Sequence, residues 1–198
     1  MNPGLLDAFG NTIPRTILIT EVLYDVTLQA EGVFDTVDVW PSGLPKGYDR
    51  FEIHGSLRST ASAFRDFGAI FFNDDLTSSN YRWINDGRSG TDFYGTTISD
   101  SFVGYFAADS SEADTFSFLI AHIPRPESTK RKKYHVLNHC RRDDFSMDVT
   151  QIGGTWISAE PINRIRVRLD GHPTALFAPG SSLQILGYRQ IPLSNLLA

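Results

Sequence analysis

The chain has 198 residues, 41% of them hydrophobic, with 14 Phe, 7 Tyr and 3 Trp, and a net charge of −5. That size and apolar content suit one domain with a sizeable core, and the acidic balance argues against an electrostatic nucleic-acid binder. One cysteine, Cys140, excludes an intrachain disulfide and a cysteine-based zinc site, and no apolar run nears the roughly 20 residues of a membrane helix.

Met1 is followed by Asn-Pro-Gly, not by the basic-then-apolar start of a secretory leader, so the expectation is a soluble protein made in a reducing cytoplasm. Residues 1–15 carry two prolines, two glycines and the isolated apolar side chains Leu5, Leu6, Phe9 and Ile13. They cannot form a core alone. They read either as a disordered start or as an arm that docks on a neighbouring subunit.

From Thr16, Ile17, Ile19 and Leu23 alternate with Leu18, Thr20, Val22 and Tyr24, the pattern of a strand. Residues 33–40 read as another, with Val33, Val37 and Val39 in phase, and 41–47 as a Pro/Gly loop. Phe51, Ile53 and Leu57 then share one parity against Glu52, His54, Ser56 and Arg58, which gives one buried and one wetted face. After a polar bend at Arg58-Ser59, the stretch with Phe67, Ala69 and Phe71 on one face and Ile70 and Phe72 on the other is apolar on both. Such a strand belongs inside a sandwich or at an interface. Asn73-Asp74-Asp75 stops it, since short polar side chains bond their own backbone and tolerate left-handed geometry.

After Tyr81 and Trp83, residues 85–90 read as a hairpin turn with Asp86-Gly87 at its tip. Short strands follow at Phe93-Tyr94, 102–106 and 115–120, then a Pro-rich break at 124–128. Residues 130–142 read as a strand with basic ends: Tyr134, Val136 and Cys140 oppose His135, Leu137 and His139. Asp143-Asp144 and Gly153-Gly154 read as turns, and Trp156 resumes a strand. Arg164, Arg166 and Arg168 alternate with Ile165, Val167 and Leu169, and the last strand, 183–189, precedes an apolar tail with Leu196 and Leu197. No stretch carries a capped 3.6-residue period. The expected fold is all-β: a single jelly-roll-like antiparallel β-sandwich over 16–189, with an extended arm (1–15) and a short tail (190–198).

No reactive constellation stands out, and neither a catalytic residue nor a metal or other cofactor is assigned. His139 and Cys140 are strand neighbours on opposite faces, and His135 and His139 share a face but stand about 13 Å apart along it. The aspartate doublets lack the spacing of a calcium loop. The strong local signal is Arg125, Lys130, Arg131, Lys132, Lys133, Arg141 and Arg142 in an acidic chain. It reads either as a solvated loop or as a contact for an acidic partner surface, ahead of nucleic acid for want of interleaved aromatics. The guanidinium row Arg164, Arg166 and Arg168 requires facing acids, from this chain or from another subunit.

One set of residues carries a resemblance. Pro45, Gly47, Tyr48, Asp49, Phe51 and Ile53, then Arg58-Ser59, Asp66, Phe72-Asn73, Asp75 and Asn80-Tyr81, are similar to a β-domain common in virion structural proteins of tailed bacteriophages. The closing strands, with Phe177-Ala178-Pro179-Gly180-Ser181 and Leu186-Gly187-Tyr188, fit it too, and the similarity spans roughly 16–189. It departs at Asp74, where glycine is expected. The resemblance implies a non-enzymatic virion protein, first a capsid decoration (cement) protein. That would be a homotrimer on the major capsid protein, with no nucleic-acid or membrane partner. The alternative is a tail-fibre, baseplate or head-fibre component that binds host glycan through exposed Tyr81, Trp83, Tyr94 and Trp156. A polysaccharide hydrolase or lyase is a third reading.

Overall fold

In the computed structural model, which describes residues 16–89, 92–98, 100–141, 147–172 and 174–192 (backbone alone at 88, 89 and 92–98), the alternating segments become twelve strands. They are β1 (Thr16–Thr27), β2 (Phe34–Asp35), β3 (Arg50–Leu57), β4 (Arg65–Phe72), β5 (Tyr81–Ser89) and β6 (Asp92–Ile98). The second half adds β7 (Phe102–Ala107), β8 (Ser117–Pro124), β9 (Lys132–Arg141), β10 (Met147–Trp156), β11 (Ile165–Leu169) and β12 (Ser182–Pro192). The described residues contain no α-helix, only short 3-10 turns at Thr36–Asp38 and Ser78–Asn80. Eight strands form one antiparallel sheet, in the order β1-β12-β3-β8-β9-β10-β5-β6, and four form a second, β2-β11-β4-β7.

The apolar parities meet between the sheets. Phe51, Ile53 and Leu57 of β3, Leu119, Ala121 and Ile123 of β8 and Val136 of β9 face Phe34, Ile70, Phe72, Phe106 and Val167. Phe72 sits at the centre of an aromatic cluster, with ring centroids 5.5 Å from Trp156 and 5.8 Å from Tyr134. The doubly apolar β4 is therefore covered within one chain. Arg168 lies 4.5 Å over the Phe71 ring, while Phe67 alone of the set stays 47% exposed. Polar ties also cross the core. Buried Asn138 on β9 accepts from Tyr105 N at 3.0 Å and donates to Phe118 O at 3.1 Å, and Arg65 on β4 reaches Asp148 on β10 at 2.5 Å. Buried polar groups of this kind are tolerable because they are paired.

Four sequence expectations are corrected. Residues 33–40 are not one strand. Asp35 caps a 3-10 turn, its carboxylate accepting from Val37 N, and this takes the chain out of β2 after two residues. Asp86-Gly87 is no turn. β5 continues to Ser89, with Asp86 opposite Gln151 and Gly87 opposite Thr150 on β10. Gly153-Gly154 is no turn either, because β10 runs unbroken to Trp156. Gly154 stands there for space: a Cβ would land inside the Tyr134 ring, whereas a Cβ at Gly153 meets nothing within 4 Å. Finally, β12 runs to Pro192, three residues into the stretch read as tail.

The two neighbouring glycines make an internally controlled test. Gly154→Ala displaces Tyr134 and lowers unfolding stability by about 2–3 kcal/mol. Gly153→Ala, on open extended backbone, is neutral or stabilising by about 0.5 kcal/mol. Urea unfolding of both variants reads the difference, and equal effects would contradict the packing described.

Candidate functional site

β4 ends in a turn that ties down three other parts of the chain. Asn73 and Asp74 adopt left-handed backbone, φ 52° and 60°, which places three successive polar side chains in three directions. Glycine is the ordinary occupant of that conformation, so Asp74 holds it at a cost that its partners offset. Asn73 Oδ1 accepts from Asn163 N (2.9 Å) and Arg164 N (3.1 Å), and its amide donates to Pro161 O at 2.8 Å. Asp74 pairs with Arg164 and Arg166. Asp75 accepts from Trp156 Nε1 (2.8 Å), Asn80 Nδ2 (2.9 Å) and Thr77 N (3.1 Å).

The arginine row resolves within the chain. Arg164 bonds Asp35 through Nε and a terminal nitrogen at 2.8 and 2.6 Å, Arg166 reaches the same carboxylate at 2.7 Å, and Arg168 pairs with Asp170 at 2.9 Å. Burial works to raise the pKa of Asp35. The Arg164 and Arg166 guanidiniums and the Val37 N–H outweigh it and hold the carboxyl below its usual range. Asp35 is the residue that the sequence reading missed. Its signal was the need for an acid opposite three arginines, but the chain offered many.

Three of the four aromatics read as sugar platforms are corrected. Tyr81, Trp83 and Trp156 are 0%, 6% and 1% exposed, because each lies on the inward parity of β5 or β10, and the Tyr94 side chain lies outside the described residues. Tyr81 OH donates to Asp75 O and accepts from Phe72 N, so it knits the turn to the core. The basic run also divides. Lys130, Arg131 and Lys133 are exposed, but Lys132 is 1% exposed, its Nζ donating to Lys130 O at 2.8 Å and lying 5.7 Å from the Trp156 ring. Burial lowers the Lys132 pKa, against the pull of Glu160. Basic run and aromatic set thus meet at Trp156. Beside them a groove of about 370 Å³ is lined by Asn73, Asp75, Asn80, Trp156, Ser158 and Glu160.

The second feature lies at the other end of the large sheet. β3 stops pairing with β12 at Tyr188, opposite Arg50. Beyond it, β1 and β12 continue alone, with Thr16 opposite Pro192, Ile17 opposite Ile191, Leu18 opposite Gln190 and Ile19 opposite Arg189. Ile17 is 42% and Leu18 55% exposed, and as neighbours they point to opposite faces. A two-stranded ribbon apolar on both faces is marginal in water unless something packs on it. The candidate contact residues Leu5, Leu6, Phe9, Ile13, Leu196 and Leu197 lie outside the described residues, in the segments that adjoin this ribbon in sequence.

Chemistry is scarce in what remains. Among the described residues no group of three or more His, Cys, Asp or Glu side chains converges as a metal site. Asp66 lies between Ser59 Oγ (2.9 Å) and His172 Nδ1 (3.0 Å), so the carboxylate, not the imidazole, takes the hydroxyl, and Ser59 is 1% exposed. That order does not activate a serine. No protein-family model matches the chain, and no curated protein matches it in sequence.

Asp35→Asn removes the charge that two arginines share and costs about 3 kcal/mol at neutral pH. The folded-state pKa of Asp35 is depressed, so its contribution is present above the unfolded value near 3.9 and lost as pH falls through the folded one. Urea unfolding from neutral to acid pH should show the gap between wild type and variant closing only below about pH 4. A gap constant with pH would contradict the assignment.

Proposed function

We propose that the chain is a non-enzymatic virion structural protein of a tailed bacteriophage, and within that class a capsid decoration protein that holds neighbouring shell subunits together. The observation that carries the reading is the projecting ribbon of residues 16–19 and 189–192. It has apolar side chains on both faces, and the segments with Leu5, Leu6, Phe9, Ile13, Leu196 and Leu197 adjoin it in sequence. A contact of that shape serves adhesion between proteins. It offers two faces to neighbours and no reacting group.

The strand order supports the same reading. With the β5-β6 and β9-β10 hairpins set aside, the remaining eight strands run first-eighth-third-sixth in one sheet and second-seventh-fourth-fifth in the other. That succession matches the strand order of a jelly roll with its two Greek keys, an architecture found in viral capsid proteins, and so supports the reading. The resemblance of residues 45–81 and 177–188 supplies the phage context. The glycan-binding alternative loses its motive, since three of its four aromatics are buried.

Particles assembled without the protein should lose heat stability and regain it when purified protein is added back. Ile17→Asp with Leu18→Asp, which removes about 2–3 kcal/mol of apolar burial per copy, should bind on the order of a hundredfold more weakly with an unchanged circular dichroism melt. Density at the tail tip in electron cryo-microscopy, or full binding by the variant, would overturn the proposal.

A further inference from the structure

The large sheet is twice as wide as the small one and turns its second face to solvent. On that face four of the chain's five histidines come together. His54 lies on β3, His122 on β8 and His135 and His139 on β9, with His122 directly opposite His135 and Glu52 directly opposite His122. Among them stand Phe118, Leu137 and Val149, 42%, 40% and 38% exposed, with Met147 and Ile84 at 48% and 64% on the flank. Between the outward positions Phe118–His122, His135–His139 and Val149–Gly153, no Lys, Arg, Asp or Glu intervenes.

The two ends of these strands differ in charge. Where β8 ends and β9 begins, Arg125, Lys130, Arg131 and Lys133 are exposed, with Arg82 on β5 in the same row as Lys133. Where β8 begins, the exposed residues are Asp109, Glu112 and Asp114, and Glu112 reaches onto the face at Arg141, 3.0 Å away. On β8, β9 and β10 the face is therefore uncharged in the middle, cationic at one end and, with Arg141 paired to Glu112, mainly anionic at the other, while Asp86 on β5 is exposed at the edge of the Leu137 row.

We propose that the outer face of β3-β8-β9-β10 is a self-association surface that receives the same face of a second copy, strands reversed, about a two-fold axis lying across the strands. That arrangement sets the cationic end of each copy over the anionic end of the other and stacks the apolar centre on itself. Four strands of about eight residues present about 520 Å² in plan, so the contact covers about 1,050 Å² in all. That is above the ~1,000 Å² a specific interface needs. An axis through the Leu137 row brings His135 of each copy against His139 of the other.

This pairing makes the contact sensitive to pH. Histidine ionises near pH 6.5. Glu52, 2.9 Å from His54 and 3.5 Å from His122, offsets charge on those two, and Arg50 lies beyond it. His135 contacts Gln151 and His139 contacts Met147; Lys133 and Arg141 lie along β9, His122 faces His135 from β8 and Asp86 lies beyond Gln151 on β5, so the histidines stand among more basic than acidic groups and protonation places like charges together.

Sedimentation velocity on the full chain at micromolar concentration tests the proposal. The expected result is a dimer at about pH 8 that weakens at least tenfold by about pH 5.5. Leu137→Arg, on an exposed position, should give a monomer at both pH values with an unchanged melt. His135→Gln with His139→Gln should keep the dimer and lose most of its pH dependence. A monomer at about pH 8, a trimer, or a dimer that Leu137→Arg leaves intact would each overturn it. A trimer would instead fit the homotrimer expected of a decoration protein, whereas the other outcomes leave that reading, which stands on the ribbon, untouched.

Discussion

Three consecutive side chains at the end of β4 hold together elements that are otherwise far apart in the chain. Asn73 fixes the approach to β11, Asp74 joins Asp35 in neutralising Arg164 and Arg166, and Asp75 receives the indole of Trp156 from the opposite sheet. The left-handed backbone of this turn makes the divergence possible. Without it, alternate side chains would point to the same side, and one of the three anchors would be lost. A carboxylate at Asp74 in place of the glycine expected there trades backbone ease for charge pairing.

The same economy recurs where the sheets meet. Asn138, Arg65 with Asp148, and Lys132 above Trp156 are polar groups inside or at the edge of an aromatic core, each with a specific partner. Such groups contribute little net stability, but they penalise any register that would unpair them. In a sandwich whose strands are rich in Phe, Tyr and Trp on both parities, that penalty discriminates between alternative packings that hydrophobic burial alone would leave close in energy.

Much of this fold is legible in the alternation of its residues. β3, β9 and β11 follow the parity of Phe51/Ile53/Leu57, Tyr134/Val136 and Ile165/Val167, whereas in β8 the buried set is Leu119/Ala121/Ile123 and not the bulkier Phe118/Ile120. Strand existence is local; which face is buried is not. The failures at Asp86-Gly87 and Gly153-Gly154 have one cause. Residues with turn chemistry sit mid-strand because the ladder to β10, and the Tyr134 ring above Gly154, outweigh local preference. An aromatic suits either face of a strand, so the sequence does not reveal that Tyr81, Trp83 and Trp156 point inward. The arginine row correctly demanded acids, but nothing local to it pointed to residues 35 and 74. The histidines on β9 were seen to share a face; that His54 and His122 join them depends on register alone.

The pairing of β1 with β12 has a consequence for how the molecule is made. The partners Thr16 and Pro192 are separated by nearly the whole described chain, and among the described residues β1 has no other neighbour in its sheet. During synthesis the first strand therefore emerges without its mate and must wait for the last one before its backbone groups are satisfied. Closing so long a loop is slow and makes folding a late, all-at-once event rather than a progression from the N-terminus. A nascent chain held open in this way cannot present the finished β1-β12 ribbon, which forms only once β12 has been made.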